Sequence, residues 1–444
     1  MNTIAIDCGA SFIKGALVSM GGGKILRQIK IPAPAVSRSG SVFSPRQITA
    51  LIPLVRKMIL ELASLEKEAY LCISNEMHGF ILSYGDGTPF TDYISWQKEL
   101  GKNSDGPGAG VLTLQNNCSK EDLLFTGMPL RAGLPSSNLA CLSAGGTLEK
   151  ADGALFFYTL GDYILKALSS KEPACHPSNA AATGLYDLRK NNWNRGMIRI
   201  AGGSDISFPE IGTGELVFRL EHVWLHALPA IGDQQAALLG AGLKDERTLS
   251  FNLGTGAQVS RLVSDAACSC SYQIRPYFYN YYLKTLPHIP SGRALNVYIR
   301  FIEDILKHFQ VEVDTADIWN TLIAAASETD SSALECDLSF FENTITASET
   351  GSISNIGEYS FTLGALSKSI FEQMGKNFIY AADIIEGHGS NTDKIIFSGG
   401  IAAKIPVIRK QIAGHYGEGI EVSVAFEETL LGLCRYGEDA RKSI

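Results

Sequence analysis

The chain has 444 residues, 45 % of them hydrophobic and 19 % charged, with a formal net charge of −8. That length exceeds one ordinary core and predicts two or three domains, while the balance excludes a chain dominated by disorder. With no run of Lys and Arg, the acidic chain argues against nucleic acid, although backbone N–H groups can still hold a small phosphate ligand. No apolar run reaches the ~18 residues of a membrane helix. No basic leader precedes the first strand-like run, and the nine scattered cysteines fit reduced thiols, so a cytoplasmic protein without a membrane partner is expected.

Residues 4–18 (IAIDCGASFIKGALV) place two apolar runs around a Gly-containing turn, the pattern of a β-hairpin. Gly21 to Gly23 make the next turn, and residues 24–31 read as a third strand. Within residues 45–66, Ile48, Leu51, Ile52, Val55, Ile59 and Leu62 recur at helical spacing. Residues 70–74 form a short buried strand that ends at Met77, His78 and Gly79, and residues 80–84 continue as a strand to a turn at Asp86 and Gly87. A Gly-rich loop over 101–110, helices over 120–125 and 155–168, and a second loop over 202–214 lead to the middle of the chain. There Asp233 stands between Gly232 and a run of good helix formers, so it can cap a helix or face a cleft.

The second half opens on residues 249–263 (LSFNLGTGAQVSRLV), which align without gaps on residues 4–18: Asn252 falls on Asp7 and Gly254 on Gly9. A hairpin therefore starts each half, which points to a duplication giving two similar α/β domains that face each other. An aromatic segment over 272–282, helices over 293–309 and 315–327, an irregular stretch over 328–355 and a long helix over 361–386 follow. A strand over 394–397 then enters SGGIA at 398–402, and helices over 404–415 and 428–442 close the chain.

Two glycine-turn hairpins across a cleft can supply backbone N–H groups to a polyphosphate, since a Cβ would obstruct the approach. Asp7 would then sit near Mg²⁺ through water, Lys14 would offset phosphate charge, and Thr255 would add a hydroxyl. Gly399 and Gly400, between a strand and a helix, leave a flat surface for a base or ribose or else make a plain tight connection. His78 can point into a cavity or be structural. Trp96 and Gln97 offer an indole face and an amide, the mixture a polyol site uses, although Trp96 could also be core. Asp233 could take the proton of a sugar hydroxyl as it attacks the γ-phosphorus of ATP, with the helix N-terminus keeping the carboxylate ionised. His222 and His226 have the i, i+4 spacing of a metal pair, but their apolar neighbours suit a strand or core turn.

Taken together, IAIDCGASFIKGALV, MHG, ISWQ, LGDYIL, SNAAATGLYD, IGDQQAALLGAGL, FNLGTGAQVSRL, IIFSGGIAAK and ETLLGLCRYG resemble the FGGY carbohydrate kinases, in that family's order and across essentially the whole chain. The resemblance implies a fold of two duplicated actin-like (ribonuclease-H-like) α/β domains with an interdomain cleft. It implies residues 1–240 as the sugar-binding domain and 241–444 as the nucleotide-binding domain. Asp233 matches the catalytic base and Met77 and His78 the sugar contacts, with Trp96, Gln97 and Gln234 beside them. Gly9, Ala10, Ser11 and Lys14 match one phosphate loop, and Gly254, Thr255 and Gly256 the other. Gly399, Gly400, Ile401 and Ala402 match the adenosine loop. ATP and Mg²⁺ are the implied cofactors, cleft closure is the implied motion, and the partners are ATP and a small sugar, with room for a homodimer.

Arg275 to Phe278, Pro290 to Asn296 and Gly351 to Ile356 resemble the sedoheptulose branch most, with the xylulose branch second. The implied reaction is phosphorylation of a primary hydroxyl of a ketose; the alternative is a catalytically weak sugar- and ATP-responsive binding protein on the same fold. Two departures touch sugar identity. Asn75 and Glu76 replace the usual Gly-Gln, and Lys98 follows Gln97 where the family carries a nearby Asp, so an ammonium there could prefer an anionic substrate.

Overall fold

The computed structural model describes residues 1–19, 23–34, 48–100, 108–254, 256–346, 348–387, 391–425 and 428–442. β1 (Asn2–Cys8) and β2 (Phe12–Val18) form the expected hairpin with Asp7 opposite Lys14, and β3 (Ile25–Pro32) extends it beyond β2. α1 (Ile48–Leu62) buries Ile48, Leu51, Val55, Met58, Ile59 and Leu62 on the sheet, the stripe its periodicity predicts. β4 (Glu68–Asn75) lies parallel to β1 and is buried for seven of its eight residues, as a strand covered on both faces must be.

A lobe is inserted after β4. Its elements are β5 (Ile81–Tyr84), α2 (Ala109–Asn117), α3 (Lys120–Leu124), α4 (Pro135–Ala144), β6 (Leu155–Tyr158), α5 (Leu160–Ser169), α6 (Pro177–Ala181), β7 (Tyr186–Asp187), β8 (Asn192–Trp193), α7 (Arg195–Ile200) and β9 (Ile206–Ser207). Most of it packs around Phe80, Leu139, Phe157 and Trp193, while α5 turns back onto the first sheet through Leu160, Tyr163 and Ile164. The expected helix over 155–168 is corrected. Leu155 to Tyr158 pair with β5, and Thr159 and Asp162 form a capping box that starts the helix only at Leu160. α2 and α4 escape the periodicity because α4 is buried nearly all round with small polar residues and so has no apolar stripe.

The chain returns to the first sheet with β10 (Leu216–Leu220), β11 (Val223–Ala227) and β12 (Ile231–Gly232). β11 and β12 both pair in parallel with β4, giving the order β10-β11-β4-β1-β2-β3 with β12 beside the end of β4. His226 therefore sits on a strand, between Glu68 and Glu215, and no group of three metal-ligating side chains occurs among the described residues. α8 (Asp233–Ala241) follows directly.

The second sheet contains β13 (Thr248–Asn252), β14 (Ala257–Val263), β15 (Gln273–Pro276) and β16 (Tyr282–Ile289). After α9 (Gly292–His308) and α10 (Thr315–Glu328), the stretch expected to be irregular carries a small hairpin, β17 (Glu335–Asp337) with β18 (Ser352–Ser354). α11 (Leu363–Glu386), β19 (Lys394–Ser398), α12 (Gly400–Lys404), α13 (Pro406–His415), β20 (Glu421–Val424) and α14 (Glu428–Lys442) complete the chain. α11 covers the sheet with Leu366, Ile370, Met374, Phe378, Ala382 and Ile385, the face read from sequence.

The strand order β16-β14-β13-β19-β20 repeats β3-β2-β1-β4-β11 position by position: two antiparallel pairings, then two parallel ones. Asn252 faces Ser398 as Asp7 faces Ser74. The duplication is thus carried by topology as well as by the aligned hairpins. α14 departs from this symmetry. It crosses α8 where Gly240 and Gly432 approach so closely that a Cβ on either would fall on the other helix's backbone, and it packs Leu430, Leu433 and Cys434 onto Ala5, Val18 and Leu239 of the first half. Among the described residues no helix is long and apolar enough to cross a membrane.

Candidate active site

Three parallel strands end side by side. In register, Asp7 of β1 lies beside Ser74 of β4, and Ser74 beside Ile231 of β12. The chain beyond these C-terminal ends supplies the hairpin turn after Cys8, the segment Glu76 to His78, and Asp233, which meet at one edge, as ligand sites of open parallel sheets do. Asp233 is the first residue of α8; Gly232 is the cap, so the plain N-cap reading does not apply. Its Oδ1 accepts from the N–H of Gln234 at 2.8 Å. The Asp7 carboxylate accepts from Ser74 Oγ at 3.0 Å.

The helix N-terminus does not keep Asp233 strongly ionised. Burial, reinforced by the carboxylates of Asp7 and Glu76, pushes it up to about 7 against the Gln234 N–H and Arg275. Desolvation, with like charges behind it, outweighs the dipole here.

The short helix α6 explains how the end of β12 is held. Ser178 Oγ accepts from Gly232 N at 3.2 Å, and Asn179 donates to the Ala230 carbonyl at 2.8 Å and to Asn75 Oδ1 at 3.0 Å. Asn75 in turn donates to the Glu76 carbonyl at 2.7 Å. The departure at Asn75 is therefore a buried brace between β4 and α6, distinct from the sugar side.

His78 has a left-handed backbone, φ 63°, and its Nδ1 donates to the Ala182 carbonyl at 2.7 Å. A carbonyl only accepts, so Nδ1 carries the proton and Nε2 presents a lone pair. Burial and the cations Arg275 and Arg131 hold the ring neutral, well below the usual histidine range. Met77 is buried against Gly232, where a Cβ would come within 2.7 Å of its sulfur. Trp96 is 39 % exposed, so it is not core, and Gln97 is exposed with no side-chain hydrogen bond among the described residues. Their loop is clasped to α4 by Asn138, which donates to the Lys98 carbonyl at 2.8 Å and accepts from Leu100 N at 3.0 Å.

Gln234, expected to touch substrate, hydrogen-bonds to groups of the protein. Its amide oxygen accepts from Arg275 Nη1 at 2.7 Å, and its nitrogen donates to Gln258 at 2.9 Å and Thr285 at 3.2 Å. It ties α8 to β14, β15 and β16 and so joins the halves at the site. Arg275, read from sequence only as a branch marker, is 3 % exposed, touches Met77 Sδ at 3.5 Å and also donates to Gln273. No periodicity or motif spacing marks a buried arginine whose partners are glutamines from separate elements.

Gly9, Ala10 and Ser11 form the accessible tip of the first hairpin, with Lys14 opposite Asp7. Thr255 lies outside the described residues. Its neighbour Gly254 meets the third glycine site. Gly399, at φ 87°, has no room for a Cβ, which would lie 2.7 Å from the Leu253 carbonyl carbon. The N-terminus of α9 joins them, Gly292 N donating to the Gly254 carbonyl at 3.2 Å. The side chains of Ile401 and Ala402, expected in the adenosine loop, point into the core. α12 turns both into the second core, and the Ile401 N–H is already donated to Leu253 at 3.0 Å. A Cβ on Gly256 or Gly400 would meet nothing within 4 Å, so bare backbone there is open to a ligand.

Comparison with known proteins follows this geometry. Residues 2–240 match the model of the FGGY family of carbohydrate kinases, N-terminal domain. Autoinducer-2 kinase of Yersinia pseudotuberculosis serotype O:3 (strain YPIII) is 25 % identical over 266 residues, 54 % of this chain and 47 % of that protein. The chain thus spans about half the length of the curated relatives it matches. Among solved structures, the ligand-bound xylulose kinase of Lactobacillus acidophilus superposes with a TM-score of 0.84 at 17 % identity, covering 100 % of this chain and 90 % of that one. The gluconate kinase of Lactobacillus acidophilus gives 0.83, also at 17 % identity, covering 100 % and 90 %. These likenesses establish the two-domain actin-like α/β fold. The family match over more than half of the chain, on the half that carries Asp7, His78 and Asp233, establishes that the chain belongs to the FGGY family of carbohydrate kinases.

Proposed function

We propose that this chain transfers the terminal phosphoryl group of ATP to a primary hydroxyl of a ketose or related polyol. The observation that carries the reading is Asp233, a carboxylate raised to about 7 at the ends of three parallel strands, with Asp7, Glu76 and Arg275 acting on it. A base with that affinity for a proton can accept one from the attacking hydroxyl and release it afterwards. His78 Nε2, a lone pair on a neutral ring, suits a second sugar hydroxyl as acceptor.

ATP supplies the phosphoryl group and Mg²⁺ would offset its charge. The residues suit both. Asp7, Asp233 and Glu76 crowd negative charge into one small space that a cation would relieve, and Asp7 would hold it chiefly through water. The open glycines at 256 and 400, with Gly9 to Ser11 and Lys14 across from them, suit the phosphates and adenosine. In this reading residues 1–240 bind the sugar and 241–444 the nucleotide, with α14 lending itself to the first half. The nine cysteines, all thiols, support a reducing compartment such as the cytoplasm.

Sedoheptulose and then xylulose are the first acceptors to test. The Arg275 to Phe278 stretch supports the former, and the fold shared with xylulose kinases supports the latter. The measurement is Mg²⁺-dependent ADP release across ketoses and polyols. Asp233→Asn should lose ~10²–10⁴-fold in turnover while still binding ATP; a variant with full activity would remove Asp233 from the role of base.

A further inference from the structure

Two guanidinium groups on the acceptor side of this site make no ion pair among the described residues, although Asp233 acts on Arg275 and Glu99 and Glu342 act on Arg131. Arg275 is 3 % exposed, and its Nε is buried with no hydrogen-bond partner; its other donors go to neutral groups, Gln234, Gln273 and Met77 Sδ. Arg131 Nε is likewise buried and unpartnered, and Arg131 makes no ion pair among the described residues. The two are neighbours through the backbone: Gly127 and Ile274 are joined by a 2.9 Å hydrogen bond, which sets the Arg131 segment against the start of β15. Arg131 also adjoins the sugar loop, since a Cβ on Gly133 would lie 2.7 Å from the Trp96 carbonyl and 3.7 Å from Arg131 Nη1.

Such an arrangement is costly by itself. A buried cation with an unsatisfied donor loses solvation without repayment, and a second cation nearby adds repulsion. Burial and Arg131 lower Arg275 to about 10 against Asp233, and burial lowers Arg131 against Glu99 and Glu342. Two strained histidines face the same pair. His78 is one. The other is His288, the extra residue of a β-bulge in β16 opposite Ala257 and Gln258, with φ 60°. A bulge re-aims a side chain, and left-handed backbone in a non-glycine residue is retained where it serves a site. His288 keeps an exposed ring, yet partial desolvation and the charges of Arg131, Arg275 and Arg293 push it down to about 4, so it is neutral at neutral pH.

We propose that Arg131 and Arg275, flanked by His78 and His288, bind an oxyanion carried by the phosphoryl acceptor, so that the preferred substrate is an acidic sugar derivative. The arginines adjoin Met77, His78 and the Trp96 carbonyl, the acceptor side of the site, so this anion is assigned to the acceptor and not to ATP. Lys98, the cation that the sequence offers for this task, is replaced by two arginines from distant segments. Guanidinium also matches a carboxylate or phosphate in two-point geometry, which ammonium does not.

The proposal rests on the phosphotransfer reading, and the test separates the two. ADP release is measured for neutral ketoses and polyols, for sugar acids of the same chain length, and for the corresponding sugar phosphates. The expected result is a kcat/KM at least about tenfold higher for a carboxylate or a phosphate than for its neutral homologue, the arms telling which oxyanion is taken. Arg131→Gln should collapse that ratio toward one, and Arg131→Lys should restore part of it. Arg131 is the variant of choice because its side chain donates no hydrogen bond among the described residues, and a melting curve verifies folding. A neutral acceptor that outperforms every acid, or an Arg131→Gln variant that slows all acceptors alike with the ratio intact, overturns the proposal. If no acceptor yields ADP, the phosphotransfer reading fails. Calorimetric titration with the same sugar acids and sugar phosphates then decides the anion site alone: binding that weakens about tenfold or more in Arg131→Gln supports it, and absence of binding overturns it.

Discussion

Asp233 is asked to be half-buried and to ionise. In an unfolded chain its carboxyl would lose the proton near 4, whereas in the folded protein burial and Asp7 raise it to about 7. The deprotonated form is the base, so kcat/KM should rise with pH through about 7; a rate flat from pH 5 to 8 would argue against that role. The same shift has a stability consequence. The native state binds the proton more tightly, so the favourable contribution is complete below about 4 and is lost as pH rises through about 7. Asp233→Asn escapes that loss. In Mg²⁺-free buffer the variant should be more stable than the parent at pH 8, by on the order of 1–3 kcal/mol, and equal to it at pH 4, as read from paired denaturation curves. Asn179 illustrates support at one remove. It holds both the Ala230 carbonyl and Asn75, so Asn179→Ala orphans buried groups on two elements. It should destabilise by ~1–3 kcal/mol and slow turnover through a displaced Asp233.

Among the elements, α8 has two duties: its first residue is the candidate base and its last turn is the contact with α14. The crossing at Gly240 and Gly432 admits no side chain. Gly432→Val should therefore force the helices apart and cost about 3 kcal/mol or more, visible as a lowered Tm. Because α14 packs on Ala5, Val18 and Leu239, that loss should spread into the first sheet, and hydrogen exchange in β1 should accelerate. Protection of β1 unchanged in such a variant would mean that α14 is a dispensable cover. α6 is short, yet through Ser178, Asn179 and the Ala182 carbonyl it sets β12 and His78 at once.

For the whole molecule, the two repeated sheets meet where Gln234 reaches Gln258, Thr285 and Arg275. Ligands bridging the halves would add a second tie. ATP with Mg²⁺ should slow hydrogen exchange at both glycine turns, after β1 and after β13, and not at one alone. At a hundredfold excess over Kd it should raise stability by about 2.7 kcal/mol. Protection restricted to the second half would indicate that Asp7 and the first hairpin do not reach the nucleotide.

The amino-acid sequence determined the repeated hairpins, the helices with clear apolar stripes such as α1 and α11, and the positions of Asp7, His78 and Asp233, because these depend on local periodicity and on glycine turns within a few residues. Its reading of residues 155–168 failed at a capping box that splits an apolar run into strand and helix, and it missed α4 because a helix buried on every side carries no stripe. Only the tertiary structure decided the protonation of Asp233, which depends on burial and on a carboxylate 226 positions away (233 − 7). It alone showed Gln234 hydrogen-bonded to Arg275, Gln258 and Thr285, turned the Ile401 and Ala402 side chains into the core, and brought Arg131 to Arg275 and His288. Those are meetings of residues far apart in the chain, and their energies come from desolvation and charge at close range, which no linear pattern contains.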